Sequence, residues 1–573
     1  MRLHISIFLA ILLCGRPGAF AGQVTISVLA TTDLHGTIYP VDYYTDRPAA
    51  RGLAKIASLV AAARAENPHS LLIDCGDTIE GSPLEYVYQK LVADGRAPLH
   101  LAPPDPPLAG DPMMLVMNQL GYAVMAVGNH EFNFGLRNLA TARQDAHFPW
   151  ISANIRVAPG GREKPFASYV VKQIAGVRVA VIGLTTPAVP TWEKPENLGA
   201  YRFLDSLPAV QAAVAELRRN LHPDLIVLAA HSGMGRDLKT GAAIDPAENQ
   251  VYEIATHTKG LDAIVFGHSH QELAGARFGD VLLVQPKNWG ISLARLDFVL
   301  EGEPGAWKVA HKEARLLPVT DATPVDPAIL RLALPYHSFA ERYLNTPVAQ
   351  APRPLDGRRG RVEDTALVDA IQAVQLYYSK AEISFTSLFR PRIFLHQGPV
   401  TVRQIAALYI YDNQLYSIEG TGQMVKDALE NAARYFVSCQ GQGCASPPLT
   451  DPHVLGFNYD MAEGVRYEID LTRPVGDRIR NLTWKGRPLA AEQKLLIAVN
   501  SYRAAGSGGY GMFAHAKIVW RSTEGIRDLM VRYYTEHRAL PAEADENWRI
   551  VPEQARRTLE RQALVEASRD SLF

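Results

Sequence analysis

Five apolar runs of strand type, "VTISVLATTD", "SLLIDCGD", "YAVMAVGNH", "DLIVLAAHS" and "LDAIVFGHSH", constrain this chain more than any other feature. Each is rich in Val, Ile, Leu and Ala, and each stops at Asp, Asn or His. Unbroken apolar runs of this length describe strands buried on both faces. Helical candidates such as "GLAKIASLVAAARAE" and "LPAVQAAVAELRRNL" lie between them, and repeated strand and helix units predict an α/β domain with a layered sheet. The polar ends then fall in loops at the carboxyl ends of strands, where the backbone leaves the ladder and side chains from several strands converge.

The length of 573 residues exceeds what one hydrophobic core usually organises, so two domains are expected. With 47% apolar residues and a net charge of −1, nothing in the total favours a nucleic-acid polymer or a membrane surface as partner. A small charged ligand remains open, because a local site need not show in a sum. Residues 1–21 carry Arg2, an apolar run and the triplet Ala19-Phe20-Ala21, which reads as a secretory signal cleaved near Ala21. Cys14 lies within it behind Leu13, a poor context for lipid attachment, so a protein exported to the periplasm or the medium, without a membrane anchor, is expected. In "CQGQGC", Cys439 and Cys444 bracket a short flexible loop, which in an oxidising compartment suggests a local disulfide and leaves Cys75 over.

The chemistry collects at the strand ends: Asp33 and His35 in "TTDLHG", Asp77 in "DCGDTIEGSP", Asn129 and His130 in "GNHEFNFG", His231 in "AAHSG", and His268 and His270 in "GHSH". In extended backbone, residues two apart point the same way, so Asp33 and His35 can face one ion, as can His268 and His270. A lone histidine of this kind is ordinarily a hydrogen-bonded structural residue, but five such motifs in register are not five accidents. Carboxylate, amide and imidazole without thiolate suit Zn²⁺, Mn²⁺, Fe or Co, and seven donors exceed one tetrahedral ion. Two divalent ions sharing an Asp fit that count, an arrangement suited to phosphate-ester hydrolysis.

The ordered series D-x-H, G-D, G-N-H-E, H-S-G and G-H-x-H resembles the calcineurin-like metallophosphoesterases. With the C-terminal half, including "NYDMAEGVRYEIDLTRP", "RIRNLTWKG" and "NSYRAAG", the chain resembles the exported 5'-nucleotidase family, closest to its 2',3'-cyclic-nucleotide 2'-phosphodiesterase/3'-nucleotidase branch. The resemblance implies an α/β architecture: a layered β-sandwich metallophosphoesterase domain with flanking helices over residues 22–322, a helical linker over 323–360, a C-terminal α/β nucleotide-binding domain over 361–525 and a tail over 526–573. It also implies that Asp33, His35, Asp77 and His270 hold one metal and Asp77, Asn129, His231 and His268 the other, with His130 catalytic and facing the scissile phosphate. Asn133 stands where the 5'-nucleotidase branch has an Asp orienting that histidine, and it is expected to orient His130 here.

For the substrate, the resemblance implies a base held between Tyr411 and Tyr502, with Asn413 at its edge and Arg392 on the phosphate. Tyr409 and Tyr411 are read as one face of a strand, Tyr409 as a core residue. The activity expected is opening of 2',3'-cyclic nucleotides to 3'-nucleotides followed by dephosphorylation, by a monomer acting on small nucleotides. A 5'-nucleotidase or UDP-sugar hydrolase is the nearest alternative, and a non-catalytic nucleotide receptor is the alternative of another class.

Overall fold

The computed structural model describes residues 22–569 apart from Arg96, Pro106 and Asp412, so the export signal expected over residues 1–21 lies outside the described residues. The apolar runs build two six-stranded sheets. In the first, Gly22–Thr31 lies between the antiparallel Ser292–Gly302 and the parallel Ser70–Asp74, and Val124–Ala126 and Trp150–Ile151 continue the parallel row. In the second, Val177–Thr185, Leu225–His231, Ala263–Phe266 and Val281–Gln285 run parallel, with antiparallel strands at both edges.

Alternation along the strands explains why both sets are apolar throughout. Ile26, Val28 and Ala30 meet Val181, Val227 and Val265 in one layer between the sheets. The intervening Leu29, together with Leu72 and Met125, points the other way, into the core that holds helices Leu53–Glu66, Pro83–Asp94 and Pro112–Leu120. On the far side Ile182, Ile226 and Leu228 pack on Ser206–Asn220 and Val251–His257. Each such Val, Ile or Leu contributes about 1.5–3 kcal/mol relative to exposure, which fixes the register of every strand. The result is the sandwich with flanking helices that the motifs imply, and it turns the parallel strand ends of both sheets toward one side.

Helix Pro327–Leu344 follows, capped by Asp326, whose carboxylate accepts from the amides of Ala328 and Ile329. Its buried residues Ile329, Ala333, Tyr336, Phe339, Ala340 and Tyr343 recur at helical spacing, and it packs on all three helices of the first sheet's outer face. Beyond it, Pro347–Ala351 pairs with Gly398–Thr401 and Leu355–Asp356 with Phe394–Leu395. The remainder forms a five-stranded sheet in the order Met461–Glu463, Ile383–Thr386, Lys494–Asn500, Gln414–Thr421, Ile518–Gly525, and a four-stranded sheet that ends in Trp548–Val551.

Two local expectations are corrected. "TVRQIAAL" begins with a capping box, Thr401 with Gln404, and so forms the helix Val402–Leu408; the strand starts only at Gln414. Tyr409 and Tyr411 therefore lie on the connection between helix and strand, both rings edge-on to Phe389: Tyr409 is fully buried, as a core residue should be, while Tyr411 is 41% exposed. The second concerns the tail expected over residues 526–573. It forms the helix Ile526–His537 and continues into the parallel strand Trp548–Val551 and the helix Glu553–Arg569. A four-residue strand and a helix in which seven of seventeen residues are charged leave little periodic signal. Cys439 and Cys444 are joined as a disulfide, and Cys75 is free and buried.

Side chains tie the two halves together across the groove between them. Tyr86 donates to Asp528 Oδ1 at 2.5 Å, Lys90 Nζ lies 3.4 Å from Asp528 Oδ2, and Arg390 pairs with Asp42 at 3.2 Å.

Candidate active site

The strand-end loops lock to one another before any side chain is considered. Asp33 N donates to Gly76 O at 2.9 Å, His35 N to Asp77 O at 2.9 Å, and Gly267 N to Ala230 O at 3.1 Å. Gly128 and Gly267 are required by this proximity: a Cβ on Gly128 would lie 2.2 Å from Asp77 Oδ1, and one on Gly267 1.8 Å from Thr32 Oγ1. Five of the seven candidate ligands, Asp33, His35, Asp77, His268 and His270, have φ between 47° and 73°. Left-handed backbone in non-glycine residues is uncommon and persists where the surroundings over-determine it, typically at functional sites.

Two clusters result. Asp33, His35 and His270 bring their ligand atoms within 4.8 Å of one another, as do Asp77, His231 and His268. His35 Nε2 and His270 Nε2 are 3.0 Å apart, and His270 Nε2 is 3.4 Å from Asp33 Oδ1. In the second cluster His231 Nδ1 donates to the carbonyl of Cys75 at 2.8 Å. Its Nε2 consequently faces Asp77 Oδ2 at 2.9 Å and Asn129 Oδ1 at 3.0 Å, so lone pairs of three groups converge on one point. That arrangement asks for positive charge, which a proton or a cation satisfies. Burial opposes the imidazolium, yet the Asp77 carboxylate pushes His231 up to about 9. Against the same burial, His231 and His130 hold Asp77 well below the usual carboxylate range, and His270 does so for Asp33. Burial pulls His35 down, leaving it the neutral imidazole that coordination requires. The donor set and its geometry fit divalent cations.

His130 stands beside both clusters. Its backbone amide donates to Asp77 Oδ1 at 2.8 Å, and its ring lines a groove of about 320 Å³ between the two halves. Asn133 Oδ1 is 2.5 Å from His130 Nδ1. Asn129, His268, Asn413 and Tyr502 also line the groove. Tyr411 is not among its walls; its ring packs edge-on against Phe389. Nor does the structure bring Arg392 there: Arg392 lines a second cleft of about 180 Å³ with Arg358 and Arg361, and donates to Glu566 O at 3.3 Å.

Several residues escaped the sequence reading. Glu80 Oε2 lies 3.2 Å from His35 Nδ1 and 3.3 Å from His130 Nδ1. Glu131 accepts from the amides of Asp77, Thr78 and Gly128, which holds the loops of two motifs in place. Glu248 meets His268 Nε2 at 2.6 Å, and Trp192 stacks on the same imidazole at 5.7 Å. Glu193 binds Asn133 Nδ2 at 2.6 Å. Only Glu131 had a signal, its place inside "GNHE"; the others are single residues on loops without periodicity.

Comparison with known proteins agrees with this geometry. Residues 26–272 match the calcineurin-like phosphoesterase family and residues 344–515 the 5'-nucleotidase C-terminal domain. The chain is 29% identical over 590 residues to the trifunctional nucleotide phosphoesterase protein YfkN of Bacillus subtilis, a match that takes in 93% of this chain and spans 39% of that protein's length. It is 29% identical over 617 residues to the 2',3'-cyclic-nucleotide 2'-phosphodiesterase/3'-nucleotidase of Yersinia enterocolitica, covering 96% of this chain and 91% of the relative. Among solved structures, a putative 5'-nucleotidase from Staphylococcus aureus superposes with a TM-score of 0.75 at 25% identity, over 92% of this chain and all of the other. The chain belongs to the 5'-nucleotidase family of calcineurin-like metallophosphoesterases and is a metal-dependent phosphoesterase.

Proposed function

We propose that this chain is an exported hydrolase that opens 2',3'-cyclic nucleotides to 3'-nucleotides and dephosphorylates these to nucleosides. The observation that carries the reading is the pair of triads, Asp33, His35, His270 and Asp77, His231, His268, meeting beside His130 at the groove. Asp33, His35 and His270 would hold one divalent ion, Asn129, His231 and His268 a second, with Asp77 shared. Two ions so held supply Lewis-acid polarisation of phosphoryl oxygens and activation of water. His130, with Nδ1 engaged by Asn133, keeps Nε2 for the charge that develops on the phosphoryl group and the leaving oxygen. Tyr502 offers a stacking face and Asn413 an amide from the C-terminal half's side of the groove. Either ester oxygen of the ribose can leave from the same centre while the base stays in place. Arg392, directed into the second cleft, has no part in this reading.

Support for the branch comes from relatives named 2',3'-cyclic-nucleotide 2'-phosphodiesterase/3'-nucleotidase at 28–29% identity over at least 92% of this chain, against 27% over 85% for a 5'-nucleotidase of Vibrio vulnificus. One observation favours a 5'-nucleotidase instead. Glu80 gives His130 a nearby carboxylate, so Asn133 does not set this site apart from an Asp-oriented one. For export, the support is the sequence of residues 1–21 and the disulfide; among the described residues no helix is long and apolar enough to cross a membrane.

Release of phosphate from 2',3'-cyclic AMP, 3'-AMP and 5'-AMP by the manganese-loaded protein tests the reading, with ring opening followed separately. Turnover of the first two with little from 5'-AMP is expected. Preference for 5'-AMP would move the chain to the other branch, and nucleotide binding without metal-dependent hydrolysis would make it a receptor.

A further inference from the structure

An amide and an imidazole in contact leave two atoms undecided: which way the amide is turned, and which ring nitrogen carries the hydrogen. The loop around Trp192 decides both. Glu193 is only 7% exposed, and its two carboxylate oxygens are acceptors alone. Oε2 receives Asn133 Nδ2 at 2.6 Å; Oε1 receives Asn197 Nδ2 at 2.8 Å and the amide of Lys194 at 2.7 Å. Because Asn133 must donate to Glu193, its Oδ1 is turned toward His130, 2.5 Å from Nδ1. An oxygen there requires hydrogen on Nδ1, and Glu80 Oε2 at 3.3 Å from the same nitrogen requires it too. Nε2 is thereby left to the groove, a lone pair in the neutral ring and an N–H in the imidazolium, which is the form that meets developing negative charge.

The geometry points to Glu193 as a positioning residue that acts through Asn133 to fix the tautomer and plane of His130. It adds a second carboxylate, one residue removed, to that of Glu80, which lies 3.3 Å from the same ring nitrogen. The inference rests on the role proposed above for His130. Asn197 closes the arrangement by also donating to the carbonyl of Asn133 at 3.2 Å, so the amide is held at both its side chain and its backbone.

Steady-state kinetics on 3'-AMP with the metal-loaded enzyme, its melting temperature and its metal content test this in four variants. Glu193→Gln keeps the size of the side chain but can donate as well as accept, so Asn133 is free to turn. Its kcat is expected to fall by roughly 10- to 100-fold, the scale of removing an orienting partner, with KM changed by less than about threefold. Asn133→Asp faces Glu193 with a second carboxylate and is expected to fall comparably. The exchange Asn133→Asp/Glu193→Gln puts the carboxylate beside His130 and the amide behind it, and it should recover kcat to within about threefold of the parent. His130→Ala reads the underlying role. If His130→Ala is inactive while Glu193→Gln turns over like the parent, the inference is wrong and the reading of His130 stands. Additive losses in the exchange variant, with its melting temperature and metal content intact, also overturn it. If His130→Ala is itself fully active, the catalytic reading fails first and takes the inference with it.

Discussion

Gly267→Ala is the sharpest test of how the site is built, because the residue has an ordinary φ and the penalty is steric alone. The added methyl would sit 1.8 Å from Thr32 Oγ1, 2.4 Å from Asp33 Oδ2 and 2.9 Å from Thr32 Cβ, where ordinary contact begins near 3.4 Å. Thr32 and Asp33 are themselves hydrogen-bonded at 2.6 Å, so the pair must move together by well over an ångström. Asp33 also takes the amide of His268 on both oxygens at 3.0 Å, and moving it loosens the "GHSH" loop that carries two further candidate ligands. Overpacking a tight interior costs about 1–3 kcal/mol, and this contact belongs at the upper end. For a unit of this size that lowers the melting temperature by roughly 5 °C. Manganese affinity should drop by about 10- to 100-fold, since Asp33 is displaced and not removed. Calorimetry and metal content after equilibrium dialysis read the two effects. Gly443→Ala is the control, because its Cβ meets nothing within 4 Å. A Gly267→Ala protein that melts within about 1 °C of the parent and binds manganese equally well would refute the packing argument.

Three other perturbations have defined outcomes. Tyr502→Ala should raise KM for 3'-AMP by roughly 5- to 150-fold, the equivalent of losing ~1–3 kcal/mol of base stacking, and an unchanged KM would remove Tyr502 from the base site. Burial, with Asp364, Glu463 and Asp545 nearby, pushes Asp369 up to about 8, and burial pushes Glu463 up to about 7. These groups hold protons in the folded protein that the unfolded chain releases near pH ~4, so stability is greatest at the acid end and declines as pH rises toward 8. The melting temperature should therefore be lower at pH 8 than at pH 5, and Asp369→Asn should flatten that slope; equal slopes would exclude the cluster. Replacing Cys439 and Cys444 with Ser should cost about 2 kcal/mol, the amount expected for so short a loop, read by denaturant unfolding beside a thiol titration that finds the buried Cys75 only on unfolding.

The seven strand-end candidate ligands and His130 could be read in the sequence because two regularities coincide there. Runs buried on both faces are unbroken, and each such run ends where a side chain can leave the sheet. Glu80, Glu193, Glu248 and Trp192 have no such frame. They reach the site through loops whose paths depend on contacts such as Thr186 N to His231 O at 2.7 Å, between residues far apart in the chain. Tyr409 and Tyr411 escape a strand reading for a local reason: aromatic alternation resembles a strand, while the capping box at Thr401 and Gln404, just before them in the chain, commits the segment to a helix and a turn. Arg392 illustrates a third limit. Its guanidinium suits phosphate, but only the packing against the helix Glu553–Arg569 determines the cleft it faces.

The groove has its two ends on different halves of the molecule. His130 and Asn129 stand on one, Asn413 and Tyr502 on the other, and the separation between them is set where Asp528 meets Tyr86 and Lys90. On the proposed reading such a groove would work as a caliper, measuring the span from base to phosphorus before any bond is broken. Substrates that carry the phosphate on different ribose oxygens differ in that span more than in chemical character, so the gap itself would discriminate among them. A change at Asp528, which lines the groove but is none of the candidate ligands, would reset the gauge and alter which nucleotide fits.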